Sequence, residues 1–294
     1  TSVRGRSGRS DDNTKSKTMT RTNNPPRAPA GGLAQRRALT GYVMDDDSIR
    51  TAVAAWFADQ SAAEATYGHI STWGTSGVTD MSHLFCVRQD WMDDPDEAEY
   101  YESCVLPASA ASFNEDIGAW DTSGVTRMYG MFAFASAFNR DIGGWAVHSV
   151  TTMSGMFGSA SAFDQDISAW NIENVRDMHW MFGHASSFNQ DIGGWRVEQV
   201  TEMSYMFHHA SSFNQDLSWC IGNDVNLDGA FSGSGCCSMS CGVAQKDETG
   251  DCQIIDSWGC YYYYDDDDDD DDGATELVMS TGLAAIGITF TGIT

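Results

Sequence analysis

The sequence predicts an α/β solenoid, a stack of about six 25-residue strand–turn–helix repeats. The first observation is a phenylalanine that returns at a fixed interval of 25 residues, at Phe113, Phe138, Phe163, Phe188 and Phe213. An aliphatic residue follows each of these by four positions, and tryptophan keeps the same interval from Trp120 to Trp195. A fixed period of this length indicates one supersecondary unit stacked on copies of itself.

The two halves of each unit differ in the spacing of their apolar residues. Trp120 and Thr122 are two positions apart, as are their counterparts in the next three repeats, so both side chains belong to one face of a short strand. Intervals of three and four then follow, at Val125, Met128, Met131, Phe132 and Ala135. This spacing predicts one face of a helix of about two to three turns. We expect the strands to pair in parallel, about 4.8 Å apart.

The aligned unit, I-x-x-W-x-[T/V] followed by V-x-x-M-x-x-M-F, resembles the leucine-rich repeats of BspA-like surface proteins, also known as a Mycoplasma surface-protein repeat of unknown function. Trp, Met and Phe stand where other leucine-rich repeats have leucine. The resemblance covers residues 66 to about 232, and we assign the repeats to residues 69–232, with an insertion at 87–108. It implies a right-handed solenoid displayed at the cell surface, with roles in adhesion or recognition and no catalytic residues.

The two ends of a solenoid need caps, because an end repeat would otherwise expose its apolar face. An amphipathic helix with an acidic start is predicted inside residues 42–68, from Ile49, Ala52, Val53, Trp56 and Phe57. At the other end the repeat pattern decays, and we assign a Cys-rich C-terminal cap to residues 233–262.

All eight cysteines lie at the insertion or near the C-terminal cap: Cys86, Cys104, Cys220, Cys236, Cys237, Cys241, Cys252 and Cys260. An even number in this placement predicts disulfides and an oxidising compartment. The alternative is zinc, but the cysteines near the cap lack the paired C-x2-C spacing of zinc modules. Only the Cys86–Cys104 pair, which flanks the insertion, can be proposed from the sequence.

The chain ends differ in composition from the repeats. Residues 1–41 hold nine of the sixteen Lys and Arg residues and have no apolar period, which predicts a disordered basic tail. Residues 263–276 form a poly-Asp linker, with eight consecutive aspartates from Asp265 to Asp272. Residues 277–294 are 18 uncharged residues, and we interpret them as a truncated membrane anchor or as a low-complexity tail.

The charge balance excludes one class of partner. Residues 41–294 carry forty acids against seven Lys and Arg residues, a net charge of −33. Nucleic acid is excluded as a partner, because its phosphates would be repelled. Calcium, cationic surfaces and basic polymers fit such a body better. No tight metal site or cofactor is expected, and weak calcium binding is expected at Asp265 to Asp272.

Two polar columns repeat with the period: Asp116, Asp141, Asp166, Asp191 and Asp216, and Asn114, Asn139, Asp164, Asn189 and Asn214. They form either a row of calcium sites or a set of turn caps that bond the backbone. We favour caps, and we expect each Asp of the first column to accept a hydrogen bond from a backbone N–H, because an unpartnered ladder of like charges would be destabilising.

Two surfaces are candidates for binding a partner. The first is the strand-side set, which should face solvent beside the inward Trp and Thr/Val positions: Asp121, Ser123, Ala146, His148, Asn171, Glu173, Arg196 and Glu198. Its mixed charges and sizes are typical of a ligand-binding surface. Solvent-exposed positions that vary without constraint would show the same mixture. The second surface is the acidic insertion, with Trp91, Tyr100 and Tyr101 as contacts.

These patterns predict a secreted or cell-surface recognition or adhesion protein that binds a protein or glycan, and not an enzyme. The sequence shows no nucleophile–base pair, phosphate loop or metal motif. The alternative is an acidic structural protein of a cell wall or mineralised coat that concentrates calcium.

Overall fold

The computed structural model describes residues 42–89, 104–236 and 241–254. Two helices lead into the repeats, α1 (Asp46–Ala58) and α2 (Gln60–Tyr67). Asp45 caps α1 through a reciprocal pair of hydrogen bonds with Ser48, each 2.8 Å long. Gly68 ends α2 with a φ of 79°, which is the left-handed region that glycine tolerates best. Helix α1 therefore lies where the apolar spacing predicts it.

Helix α1 covers the first repeat. Its buried Trp56 meets Trp73 edge to face, with ring centroids 6.1 Å apart. The Asp46 carboxylate accepts hydrogen bonds from the backbone N–H groups of Thr79 and Asp80, at 2.6 and 3.0 Å. Apolar contact and backbone bonding together fix this helix against the end of the stack.

Successive repeats are joined by a ladder of single-residue parallel bridges. The bridging residues are Asp80, Arg127, Thr152, Asp177, Glu202 and Asn226. Each bridging residue lies just before the first methionine of its repeat, or before Leu227 in the last repeat, and not at the Trp–Thr positions where the sequence predicts the strands. Trp120 and Thr122 are both buried, as expected. They belong to turns and not to a strand, because the Trp120 N–H donates to the Ile117 carbonyl and the Val125 N–H donates to the Thr122 carbonyl.

The segment that follows the bridge is a series of tight turns, where the sequence predicts a helix. The backbone N–H of Phe132 donates to the carbonyl of Met156 in the next repeat at 2.8 Å, whereas that of Ala133 donates three residues back, to Gly130, at 3.1 Å. An α-helix needs every N–H for its own i−4 carbonyl, so sending alternate donors to the next repeat excludes it. The expected helix is corrected to turns, which place the same apolar residues inward at intervals of three and four.

The core is built of stacked aromatic columns. The rings of Phe138 and Phe163 lie 6.0 Å apart and 5° from parallel, and the same relation recurs along that column. A second column stacks beside it, so that Phe132 meets Phe138 at 4.0 Å. The indole N–H of Trp170 donates to the Ile142 carbonyl at 3.1 Å, and its counterparts in three other repeats do the same. Each repeat thus contributes the same buried Phe and Trp positions, and each added repeat lengthens the hydrophobic core.

A small sheet follows the last repeat. Strand β1 (Cys220–Ile221) pairs in parallel with β2 (Ala244–Lys246), and β2 pairs antiparallel with β3 (Cys252–Ile254). The sheet continues the backbone bonding of the stack, since Ala244 N–H donates to the Trp219 carbonyl at 2.8 Å. It therefore covers part of the end that the repeats leave open.

Three disulfides join the described cysteines: Cys86–Cys104, Cys220–Cys252 and Cys236–Cys241. The first confirms the pair proposed from the sequence. Cys237 and Cys260 lie outside the described residues, as do the basic tail, the poly-Asp linker and the anchor interpretation of residues 277–294. Among the residues that the structure describes, no helix is both long and apolar enough to cross a bilayer.

Candidate functional site: an aromatic groove on the turn face

The turns of each repeat carry two columns of left-handed residues. The first column contains His83, Gly130, Gly155, Trp180, Tyr205 and Gly229, and the second contains Phe134, Ser159, His184, His209 and Gly233. All have φ between 52° and 70°, which suits glycine at the third position of a turn and costs other residues about 1 kcal/mol or more. Large aromatic side chains therefore occupy positions where the backbone alone would favour glycine. We call this surface the turn face.

Glycines of the turn face make room for these rings. A methyl group at Gly130 would lie 2.7 Å from the His83 ring, and one at Gly229 would lie 2.6 Å from the Tyr205 ring. In both cases the ring belongs to the preceding repeat. The absence of a side chain at the glycine thus lets the ring lie across the neighbouring turn.

The rings and glycines enclose an open groove of about 380 Å³, which we call the aromatic groove. Its lining includes the rings of His83, Tyr129, Phe134, His179, Trp180 and Tyr205 and small residues, among them Gly155 and Gly158. At one end, His83 meets Tyr129 edge to face at 4.7 Å. At the other, the rings of Trp180 and Tyr205 lie 5.6 Å apart with a tilt of 45°, and Tyr205 is 37% exposed. The groove offers a ligand aromatic faces from several repeats.

Histidines concentrate on this face. Five of the seven histidines lie on it: His83, His179, His184, His208 and His209. His208 packs 5.2 Å from Trp180 and 5.5 Å from His184. Burial, together with the neighbouring His209 and His184, lowers the pKa of His208 to about 4. Burial and Arg50 likewise lower the pKa of His83 to about 4. Both rings are neutral at pH 7.

The strand-side set lies apart from the groove. None of its eight residues lines the groove walls. The Asp121 carboxylate accepts from the Ser123 backbone N–H at 3.0 Å, and Asn171 accepts from Glu173 at 3.2 Å, so these polar residues shape the turn after each tryptophan. Arg196 stands 3.8 Å from Glu173 and 4.0 Å from Glu198 in exposed ion pairs. Apart from the half-buried Ala146, the set consists of exposed polar residues.

The two polar columns bond the backbone. Asp166 accepts from the N–H of Ser168 at 3.0 Å, and the other four Asp residues of its column make the same bond two residues on. This confirms the expected backbone partner for each Asp. Asn139 accepts from the backbone N–H of Asp164 in the next repeat at 3.0 Å, and that column continues from Asn114 to Asn214. The Asn column is thus a second inter-repeat ladder.

The insertion is described at its base alone. Val87 and Leu106 form a parallel bridge beside the Cys86–Cys104 disulfide. Trp91, Tyr100 and Tyr101, the contacts predicted for this loop, lie outside the described residues.

The groove is not predicted from the sequence, because intervals of three and four place the methionine segment on a helix with one buried face. A signal was present in the positions between the two methionines. There Tyr129-Gly130 is replaced by His179-Trp180 in a later repeat, while the methionines on either side stay unchanged. Exchange of glycine for large aromatics inside a constant frame indicates an exposed, variable surface.

Most of the repeat region matches one known family. Residues 51–98, 105–179 and 141–240 match the family described as Mycoplasma protein of unknown function, DUF285. The chain belongs to the DUF285 family. Its matched segments cover well over half of the DUF285 chain and take in the repeats, the aromatic groove and part of α1. No curated protein and no solved structure matches the chain. The three disulfides of this DUF285 protein indicate an extracellular or surface location.

Proposed function

We propose that this protein is a non-enzymatic recognition or adhesion protein that binds a protein or glycan partner through the turn face. The observation that carries the proposal is the aromatic groove, where Trp180 and Tyr205 present tilted rings on a rigid, repeated frame. Trp and Tyr are the residues most enriched at the energetic centres of interfaces, since each contributes a large contact area with few rotatable bonds. A partner that spans several repeats would read different side chains at equivalent positions.

We also propose that the stack is a right-handed solenoid of the BspA-like leucine-rich-repeat kind. Backbone hydrogen bonds between residues 24 or 25 apart, such as Met153 to Asp177 in the next repeat, support this assignment. Repeats that bond only their neighbours are the basis of such architectures. Residues 277–294 are proposed as the membrane anchor that would hold the repeats at the surface.

The test is binding of the full chain to intact cells or matrix, with one variant for each candidate surface. Trp180→Ala with Tyr205→Ala removes the groove rings. Arg196→Glu with Glu198→Arg alters the strand-side set while it keeps the net charge, and a third variant lacks residues 87–103. We expect binding to fall with the groove variant alone, and thermal melting to show that all three chains are folded. Loss of binding with either other variant, and not with the groove variant, contradicts the assignment to the turn face.

A second candidate function is an acidic structural protein of a cell wall or mineralised coat that concentrates calcium. The aspartate run from Asp265 to Asp272 and the net charge of −26 favour it. Carboxylates in such a run bind calcium weakly and at many sites, because they offer no preformed cage. The test is assembly of the chain in calcium, with and without the eight aspartates. If the deletion abolishes assembly and leaves the melting temperature unchanged, the result supports this function over recognition.

A further inference from the structure

The walls and floor of the aromatic groove carry no formally charged side chain. Its lining consists of aromatic residues, glycine, Ala133, Ser154 and the rings of His83 and His179. The polar atoms in this lining are few, and one of them is already engaged, because the His179 imidazole bonds the Ser204 hydroxyl at 2.7 Å. The lining therefore offers ring faces and few hydrogen-bond partners, which disfavours a ligand rich in hydroxyl groups.

Carboxylates lie near the Trp180–Tyr205 end of the groove. The Asp177 carboxylate accepts from the backbone N–H of His179 at 3.0 Å, and the Glu202 carboxylate accepts from that of Ser204 at 2.8 Å. Burial raises the pKa of Glu202, but hydrogen bonds from Ser204 and Asn226 outweigh it, and the net pKa lies below its usual value, so the group is ionised at pH 7. Asp228 adds an exposed acid in the next repeat. Between residues 176 and 236, all of which the structure describes, the Lys and Arg residues are Arg176 and Arg196, and Arg196 belongs to the strand-side set.

Aromatic faces beside an excess of carboxylates match one kind of ligand. A cation over the face of an indole is attracted by the negative face of the ring, and Trp gives the strongest such interaction. The guanidinium of arginine is planar and weakly hydrated, so it stacks on aromatic rings better than an ammonium does. The net charge of −33 on residues 41–294 also draws cationic partners toward the chain.

We propose that the Trp180–Tyr205 end of the aromatic groove binds an arginine side chain of a polypeptide partner, with the guanidinium over the indole and the carboxylates of Asp177 and Glu202 nearby. This inference rests on the proposed function for the surface and narrows the partner to a basic protein segment. Trp180 supplies the ring face and Tyr205 the adjoining wall.

The experiment measures calorimetric binding of the full chain to a Gly-Arg-Gly-Arg-Gly peptide at about 0.15 M salt, where long-range attraction is screened. Two matched peptides carry citrulline, which has the shape of arginine without its charge, or lysine. We expect the citrulline peptide to bind at least about 10-fold more weakly and the lysine peptide to bind about 3-fold more weakly than the arginine peptide.

Variants locate the site. Trp180→Ala should weaken binding of the arginine peptide by about 5- to 30-fold, and Trp180→Phe, which keeps a ring face, should recover part of it. Both variants keep the aspartate run, so their difference from the native chain excludes binding by Asp265 to Asp272. Arg196→Glu with Glu198→Arg is the control and should leave the affinity unchanged.

The outcomes separate this inference from the proposed function. Equal binding of the arginine and citrulline peptides, or native affinity in Trp180→Ala, overturns the arginine site. If the arginine site fails in this way but cell binding still needs Trp180 and Tyr205, the turn face remains the recognition surface for another ligand. If the arginine peptide binds at Trp180 but the groove variants bind cells as well as the native chain does, the arginine site is supported and the proposed function is wrong.

Discussion

The indole of Trp180 lies flat over Gly183, three residues further along the same turn. A methyl group at Gly183 would lie 2.5, 2.6 and 2.7 Å from Nε1, Cε2 and Cδ1 of the indole. Near-equal distances to three atoms of the five-membered ring place the glycine beneath the face of the ring and not at its edge. The glycine therefore lies against one face of the indole, and a methyl group at Gly158 of the preceding repeat would lie 3.0 Å from Cδ1 of the same ring.

Gly183→Ala should move this ring without removing it. Gly183 does not have a left-handed φ, so alanine fits its backbone, and the new methyl group must instead displace the indole. We expect a loss of about 1–3 kcal/mol in the free energy of unfolding, as for other overpacked sites, and a changed near-UV circular dichroism signal. Gly144→Ala is the matched control, because a methyl group there meets no atom within 4 Å. If both variants unfold at the same denaturant concentration, the contact between Gly183 and Trp180 is refuted.

Trp170→Ala should be among the most damaging changes in the stack. Trp170 is buried, stacks on Trp195 at 6.4 Å and donates its indole N–H to Ile142. Its removal should cost about 3–5 kcal/mol, measured by urea unfolding. Trp180→Ala removes the same side chain from the half-buried groove and should cost less than half as much. A loss below about 1 kcal/mol for Trp170→Ala would mean that this column does not support the core.

Reduction should act on the ends of the stack before its middle. The bridge Cys86–Cys104 closes the insertion, and the bridges at Cys220–Cys252 and Cys236–Cys241 hold the sheet that follows the last repeat. Replacing Cys86 and Cys104 with serine should cost about 3 kcal/mol, because the bridge limits the unfolded chain. Hydrogen exchange after reduction should show opening near these bridges, while amides of the central repeats stay protected, since their bonds to neighbours need no crosslink. Uniform loss of protection would contradict this order.

Acid should destabilise the turn face through its half-buried histidines. Folding lowers the pKa of His208 from 6.5 to about 4. Between these values the unfolded chain binds more protons than the folded chain, so stability falls as the pH drops from about 6.5, and the loss from this group is complete below about 4. His83 acts in the same direction over the same interval.

His208→Gln should therefore reduce the dependence of unfolding on pH between about 4 and 6.5, measured as the urea midpoint at several pH values. The control is His148→Gln, because His148 is exposed and belongs to the strand-side set. If the pH dependence of the urea midpoint is unchanged in His208→Gln but changed in His148→Gln, His208 is not the source of the acid sensitivity.

The period of the buried residues could be read directly from the chain. Phe138 and Phe163 are 25 residues apart in sequence and stack at 6.0 Å in the structure. Inward positions repeat because each must contact its own copy in the next repeat, so the core pattern is visible in one dimension. The helix α1 and the Cys86–Cys104 bridge were predictable for similar reasons, since both depend on local spacing or on a flanked insertion.

The groove depends on how the backbone donors are shared between repeats. Intervals of three and four suit a helix and a series of turns equally well, and only the bonding of Phe132 to Met156 decides for turns. Turns place Trp180 and Tyr205, which are 25 residues apart, at equivalent left-handed positions of neighbouring repeats, a backbone conformation that no residue inside a helix adopts. The aromatic groove therefore arises from hydrogen bonds between residues about 25 apart, because these bonds set the backbone conformation that brings rings from neighbouring repeats together.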